Sequence, residues 1–246
     1  MYRNTVNASC IIMQEVREMK RISILLMTFA LLFVSACSSS KTEEVVSNEE
    51  KEETKEEVAS EGLVEEVDLS NFDIGTVSDY TYTNDYLGLK LPLDENWYFA
   101  SENELAQISS LTAEALDNTY AGEMLENGSV IILCYAQKLN GADNVNIGVE
   151  KKPLENITVD QIINLQLSLV EEQYKSMGLE DATCTKGETV FLGEKVPCMI
   201  TIASTENGTM HQTSVMHLVD GLIVTITATS FNEDITEQIL AEFELQ

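Results

Sequence analysis

The chain has 246 residues, 44% hydrophobic and 23% charged, which is apolar enough for a globular core. Its 14 Lys and Arg against 42 Asp and Glu, a formal charge of −28, exclude a basic nucleic-acid surface. Three Pro and 12 Gly exclude collagen-like and Pro-rich classes. The charge is unevenly distributed: residues 71–246 carry 7 Lys against 28 acids, a net of −21, and no Arg follows Arg21. A bidentate guanidinium clamp for phosphate or carboxylate is therefore missing from that part of the chain.

In chain order, residues 1–18 lack any targeting pattern, and Met19 is the better translation start. Met19-Lys20-Arg21 forms a short positive region. Ile22 to Val34 is then apolar except for Ser23 and Thr28. That run falls short of the roughly 20 apolar residues of a spanning helix and suits a secretory signal. It ends in Val34-Ser35-Ala36-Cys37, followed by Ser38-Ser39-Ser40. This run resembles a bacterial lipobox, with an aliphatic residue and two small ones before a Cys. The resemblance implies cleavage between Ala36 and Cys37 and diacylglycerol, with palmitate-type chains, on the Cys37 sulfur. The expected location is the extracytoplasmic face of the cell membrane.

Residues 37–70 read as a lipidated, disordered acidic tether. Glu-rich runs from Glu43 to Glu57 contain almost no large apolar side chain before Leu63, so burial cannot offset the entropy of ordering. Like-charge repulsion extends such a segment, whose full reach is roughly 110 Å. Leu63 to Phe72 is more apolar and is a candidate for docking on the domain that follows.

Residues 71–246 read as one α+β domain. Tyr80 and Tyr82, then Leu87, Leu89 and Leu91, alternate as short strands. Ser101 and Glu104 form a capping box opening a helix with Leu105 and Ile108. Val130 to Tyr135 is an unbroken apolar run, the mark of a strand buried on both faces. Asn140-Gly141 signals a hairpin into Val145, Ile147 and Val149. Thr158 and Gln161 make a second capping box, opening a helical stripe that Gly178 can cap. A meander follows near 182–191, 198–205, 209–219 and 222–229, with turns at Gly193-Glu194, Asn207-Gly208 and Asp220-Gly221. Asn232 opens a last helix bearing Ile235, Ile239 and Phe243.

The stretch Tyr82-Thr83-Asn84-Asp85-Tyr86-Leu87-Gly88-Leu89 with Pro92 and Trp97 resembles the opening of small lipoproteins of anaerobic Gram-positive bacteria. So do Asn144 to Ile147, Leu192-Gly193 and the closing Thr-rich strand plus helix. These proteins resemble the PsbP-like fold. The resemblance implies an α+β domain in which helices flank both faces of an antiparallel sheet. It brings no catalytic signature.

The chemistry legible in the residues is sparse. His211 and His217 lie six residues apart, about 20 Å along a strand, too far to share a metal. No Gly-x-Ser-x-Gly elbow, Cys-x-x-Cys pair or EF-hand loop occurs. Catalytic, cofactor and metal residues are therefore assigned to none. Cys184 and Cys198 are the nearest pair for a disulfide, but the intervening turn does not set them opposite each other, so buried free thiols are expected. A two-residue Asn207-Gly208 turn would place Cys198 opposite His217 on an aliphatic face with Ile200, Val215, Val224 and Ile226, and this pair is the one candidate for thiol–imidazole chemistry. Trp97 with Tyr80, Tyr82 and Tyr86 is a candidate aromatic platform, although a lone Trp after a strand is more often core. The expected function is a non-enzymatic binding or accessory module anchored through Cys37 and contacting another envelope protein. A small-ligand-binding lipoprotein of a transporter is the alternative, and an envelope enzyme without a recognisable motif is the third.

Overall fold

The computed structural model describes residues 67–108, 118–139, 141–153, 156–206 and 208–246. The signal segment, Ala36 and Cys37, the tether as far as residue 66, Asn140 and Asn207 lie outside the described residues.

The domain is α+β and its sheets are antiparallel throughout. A small sheet contains β1 (Thr76–Ser78), β2 (Thr81–Asn84), β3 (Leu89–Pro92) and β11 (Glu244–Leu245). A large one runs in the order β4 (Trp97–Phe99), β5 (Ile131–Lys138), β6 (Asn144–Lys151), β10 (Leu222–Phe231), β9 (Gly208–Val219), β8 (Glu194–Thr205) and β7 (Thr183–Phe191). Where the sequence predicts one sheet there are two: β1, β2 and β3 pair with one another, and β11 lies beside β3, with Leu245 opposite Leu89. Tyr80 is not in a strand. Asp79 and Tyr80 form the left-handed turn, φ 49° and 59°, that lets Ser78 pair with Thr81.

Helices cover both faces of the large sheet. On one face α3 (Val159–Ser176) lies over β7, β8 and β9 and buries Ile163, Val170 and Tyr174 against Met199, Ala203 and Met210. Its N-terminus is closed by the predicted capping box: Thr158 Oγ1 accepts from the Gln161 amide at 3.3 Å, and Gln161 Oε1 accepts from the Thr158 amide at 2.9 Å. On the other face α4 (Thr236–Ala241) sits over β7, β9 and β10, with the Thr236 and Thr213 hydroxyls 2.8 Å apart. Asn232 does not cap this helix. It takes a left-handed conformation, φ 67°, and Asp234 Oδ1 accepts from the Thr236 amide instead. The short helices α1 (Glu102–Ile108) and α2 (Asn118–Glu126) pack on β5, α2 also on β6. The larger core joins Val145, Ile147, Val149, Val224 and Ile226 to Tyr82, Leu89 and Leu91 of the small sheet. Leu69 and Phe72 are buried in it, so the packed chain begins before Asn71.

The meander tests the predicted registers individually. Asp220-Gly221 is a two-residue turn, φ 44° and 80°, so Val219 pairs with Leu222 and Val224 with His217, as predicted. The preceding turn differs. Thr205 pairs with Gly208, so Gly208 is the first strand residue and not a turn residue. Cys198 is therefore opposite Val215, two residues from the predicted partner. The side-chain face is preserved because a shift of two keeps the pleat in phase. Between β5 and β6 the predicted hairpin forms, its loop closed by the Lys138 amide on Asp143 O at 2.9 Å.

Gly208 holds φ 113°, and a Cβ there would meet Asn232 Oδ1 at 1.9 Å. Gly208→Ala should destabilise the domain by at least about 2 kcal/mol, combining left-handed strain with displacement of Asn232. Urea unfolding of the variant beside the wild type measures it.

Candidate functional site

A cleft of about 440 Å³ opens where the small sheet, the edge of the large sheet and α4 meet. Its floor follows from a tight turn. After β3, the Leu93 amide bonds Tyr80 O at 2.9 Å. Asp94 then closes an Asx turn, with Oδ1 accepting from the Asn96 amide at 2.9 Å and Oδ2 from Asn96 Nδ2 at 3.1 Å. That turn delivers Trp97 to β4 directly opposite Lys138 of β5. Trp97 is 8% exposed. The Lys138 ammonium lies 5.9 Å from its ring centroid and 3.7 Å from Asp143 Oδ2.

The far wall is helical. Ile235, Gln238, Ile239 and Glu242 recur at three- and four-residue spacing and so share one side of α4. Ile239 is buried, while Gln238, Glu242 and Asp94 are exposed at the rim. The cleft thus has an apolar floor of Leu93, Trp97 and Ile239 beneath a polar, mainly acidic edge. Trp97 belongs to the core and also floors the cleft. The other aromatics do not join it: Tyr82 is buried, its hydroxyl donating to Ile74 O at 3.0 Å, and Tyr86 packs edge-on against Phe72 with centroids 5.4 Å apart.

Cys198 and His217 occupy the same sheet face but are not partners. Cys198 is fully buried beside Val215 and Gly187, and His217 is half-buried opposite Val224. Burial pushes the Cys198 thiol up to about 11 and holds the His217 imidazole below its ordinary value. Both shifts favour the neutral forms, the opposite of a thiolate–imidazolium pair. Cys184 is on the other face, opposite Thr201, with its sulfur 3.1 Å from the Thr201 hydroxyl. Cys184 and Cys198 thus cannot pair, and both are free thiols. His211 Nδ1 lies 3.8 Å from Asp234 Oδ2. Among the described residues no group of three or more His, Cys, Asp and Glu side chains is placed to hold a metal.

Beneath α3 the sheet presents hydroxyls and amides. Tyr174 donates to Gln212 Oε1 at 2.7 Å, Gln212 Nε2 donates to Thr229 at 3.1 Å, and the Ser214 and Thr227 hydroxyls lie 3.0 Å apart. Glu150 of β6 is also buried, 6% exposed, and burial pushes its carboxyl up to about 7.

No family model matches the chain, and no curated protein matches it. Among solved structures it is similar to the solution structure of cyanobacterial PsbP (CyanoP) from Synechocystis sp. PCC 6803, at 9% identity and a TM-score of 0.43, over 68% of this chain and 91% of that one. At this level the fold is described by its own strand pairings. Among the described residues no helix is long and apolar enough to cross a membrane.

Proposed function

We propose that this chain is an exported lipoprotein with a PsbP-like domain, anchored to the membrane through diacylglycerol on Cys37, and that the domain is a non-enzymatic binding module contacting another envelope protein. The Trp97 cleft carries the binding part of this reading. It couples a rigid aromatic floor to an exposed polar rim, the arrangement in which a partner's side chain is desolvated at the centre of an interface. The lipobox pattern at Val34 to Cys37 supports the anchor. The second reading, a small-ligand lipoprotein serving a transporter, draws on the cleft volume of about 440 Å³, within the usual range for small-ligand pockets.

A photo-crosslinking residue at Gln238, on the cleft rim, tests the binding surface in intact cells. Covalent capture of one envelope protein from Gln238, and not from Leu165 on the outer side of α3, is expected. Capture from Leu165 alone would move the binding surface elsewhere. Equal capture from both would mean that the cleft has no special role.

A further inference from the structure

We infer that β7 is the edge at which two copies of this chain join, antiparallel, into one continuous sheet. β7 ends the large sheet, and among the described residues it pairs only with β8. Its nine residues include no Pro, and Thr183, Thr185, Thr189 and Val190 favour strand. The outward backbone groups belong to Cys184, Lys186, Glu188 and Val190. The Cys184 amide turns away from β8 to donate to Glu171 Oε2 at 3.1 Å, and the pleat repeats that direction at every second residue. An edge of this kind is a template for another strand.

The sequence of β7 is complementary to itself. A twofold axis at Gly187 sets Lys186 opposite Glu188 of the second copy, and the same pair recurs across the axis. Both residues face outward, so they exchange backbone hydrogen bonds in that register. Moving the axis by one residue sets Lys186 or Glu188 opposite itself, and like charges directly opposite are destabilising. Within one copy Lys186 is 2.7 Å from Asp160 and Glu188 is 2.6 Å from Lys195, so the charged side chains of β7 are already balanced. Joining the copies sets these pairs end to end with alternating sign: Asp160, Lys186, then Glu188 and Lys195 of the second copy. The remaining acids are screened beyond about 8 Å at physiological ionic strength. Two further matches fall in the same register. Val190, 55% exposed, is covered opposite Cys184 of the second copy, whose amide stays with Glu171 and whose carbonyl is left for the Val190 amide. Thr189 is 4% exposed and its hydroxyl has no partner among the described residues. Thr185 of the second copy stands directly across from it, where a cross-strand Thr–Thr pair forms. Charge, apolar cover and hydroxyl thus agree on one register without a residue from any other protein. The Trp97 cleft lies at the β4 edge, the other end of the sheet, and stays open.

Cysteine cross-linking of the full chain in intact cells, oxidised with copper phenanthroline, tests the register. Thr185→Cys combined with Thr189→Cys puts thiols at a cross-strand position whose Cα atoms are about 4.5 Å apart, within disulfide reach. This double variant should give a covalent dimer. Either substitution alone leaves its thiols four residues apart across the axis and should give none. In the double-cysteine background, Lys186→Glu or Glu188→Lys should each lower the dimer yield about tenfold, because the axis duplicates every lost pair. The two charge changes together should restore it. The swapped charges repel Asp160 and Lys195 within each copy, so only pairing between copies accounts for that recovery. Equal cross-linking by single and double cysteine variants would reduce the contact to chance collision and overturn it. So would the absence of a covalent dimer from a double-cysteine variant that melts like the wild type. A charge-swapped chain that dimerises less than either single charge variant would show that these charges act only within one copy, and the inference would fall.

Discussion

Glu150→Gln should stabilise the domain by about 3 kcal/mol at pH 8 and by almost nothing at pH 4. The Glu150 carboxyl is buried on β6 opposite Ile223, and burial raises it from 4.5 to about 7. Below pH 4.5 it is protonated in both folded and unfolded chains. As the pH rises from 4.5 to 7 the unfolded chain releases its proton and the folded domain keeps it, so stability falls across that window and levels off above it. His217 acts in the opposite sense. Burial lowers its pKa, so its contribution is present above its unfolded pKa of 6.5 and is lost as the pH falls through the folded one. Comparing wild type with Glu150→Gln from pH 4 to 8 by urea unfolding isolates the carboxyl. A constant difference between the two proteins across that range would show that Glu150 is solvated.

Leu69→Ala should cost about 2–5 kcal/mol, the range for a buried leucine replaced in a packed core. Leu69 is 8% exposed, and its Cβ lies 3.8 Å from where a Cβ on Gly122 of α2 would stand. Nearby, Val67 packs beside Gly221 at the β9–β10 turn. A chain beginning at Asn71 should melt lower than one beginning at Val67 by a comparable free energy. Equal melting temperatures would mean that the segment before Asn71 adds nothing to the core.

What the sequence reveals depends on how local each determinant is. Asp220-Gly221 sets its hairpin register because both turn residues adopt positive φ and little else competes. At Asn207-Gly208 the same reasoning misplaces the turn, because Gly208 is required in the strand, where Asn232 leaves no room for a Cβ. That constraint comes from 24 residues further along the chain. The α3 capping box is local and reads correctly, whereas Asn232 yields its capping role to Asp234 once its own backbone turns left-handed. Of the small sheet the sequence shows β2 and β3 through Tyr82, Leu89 and Leu91, whereas β1 has three residues and β11 two, too short for any periodicity. The cleft combines both cases. Trp97 and the Ile235–Ile239 stripe stand out in the sequence, but Lys138 and Asp94 join them only through strand pairing and an Asx turn. The Cys198–His217 pair shows the limit of face-level reasoning: the shared face is right, and the shift of two residues removes the contact.

The proposed anchor is tested most directly by the mass of the N-terminal peptide of the chain recovered from membranes. The account predicts a chain that begins at Cys37 and carries diacylglycerol on its sulfur. It also predicts that Cys37→Ser leaves the chain unprocessed or releases it from the membrane, since acyl burial supplies much of the affinity. A membrane-bound chain whose N-terminus lies at any other residue, with Cys37 unmodified, would contradict it.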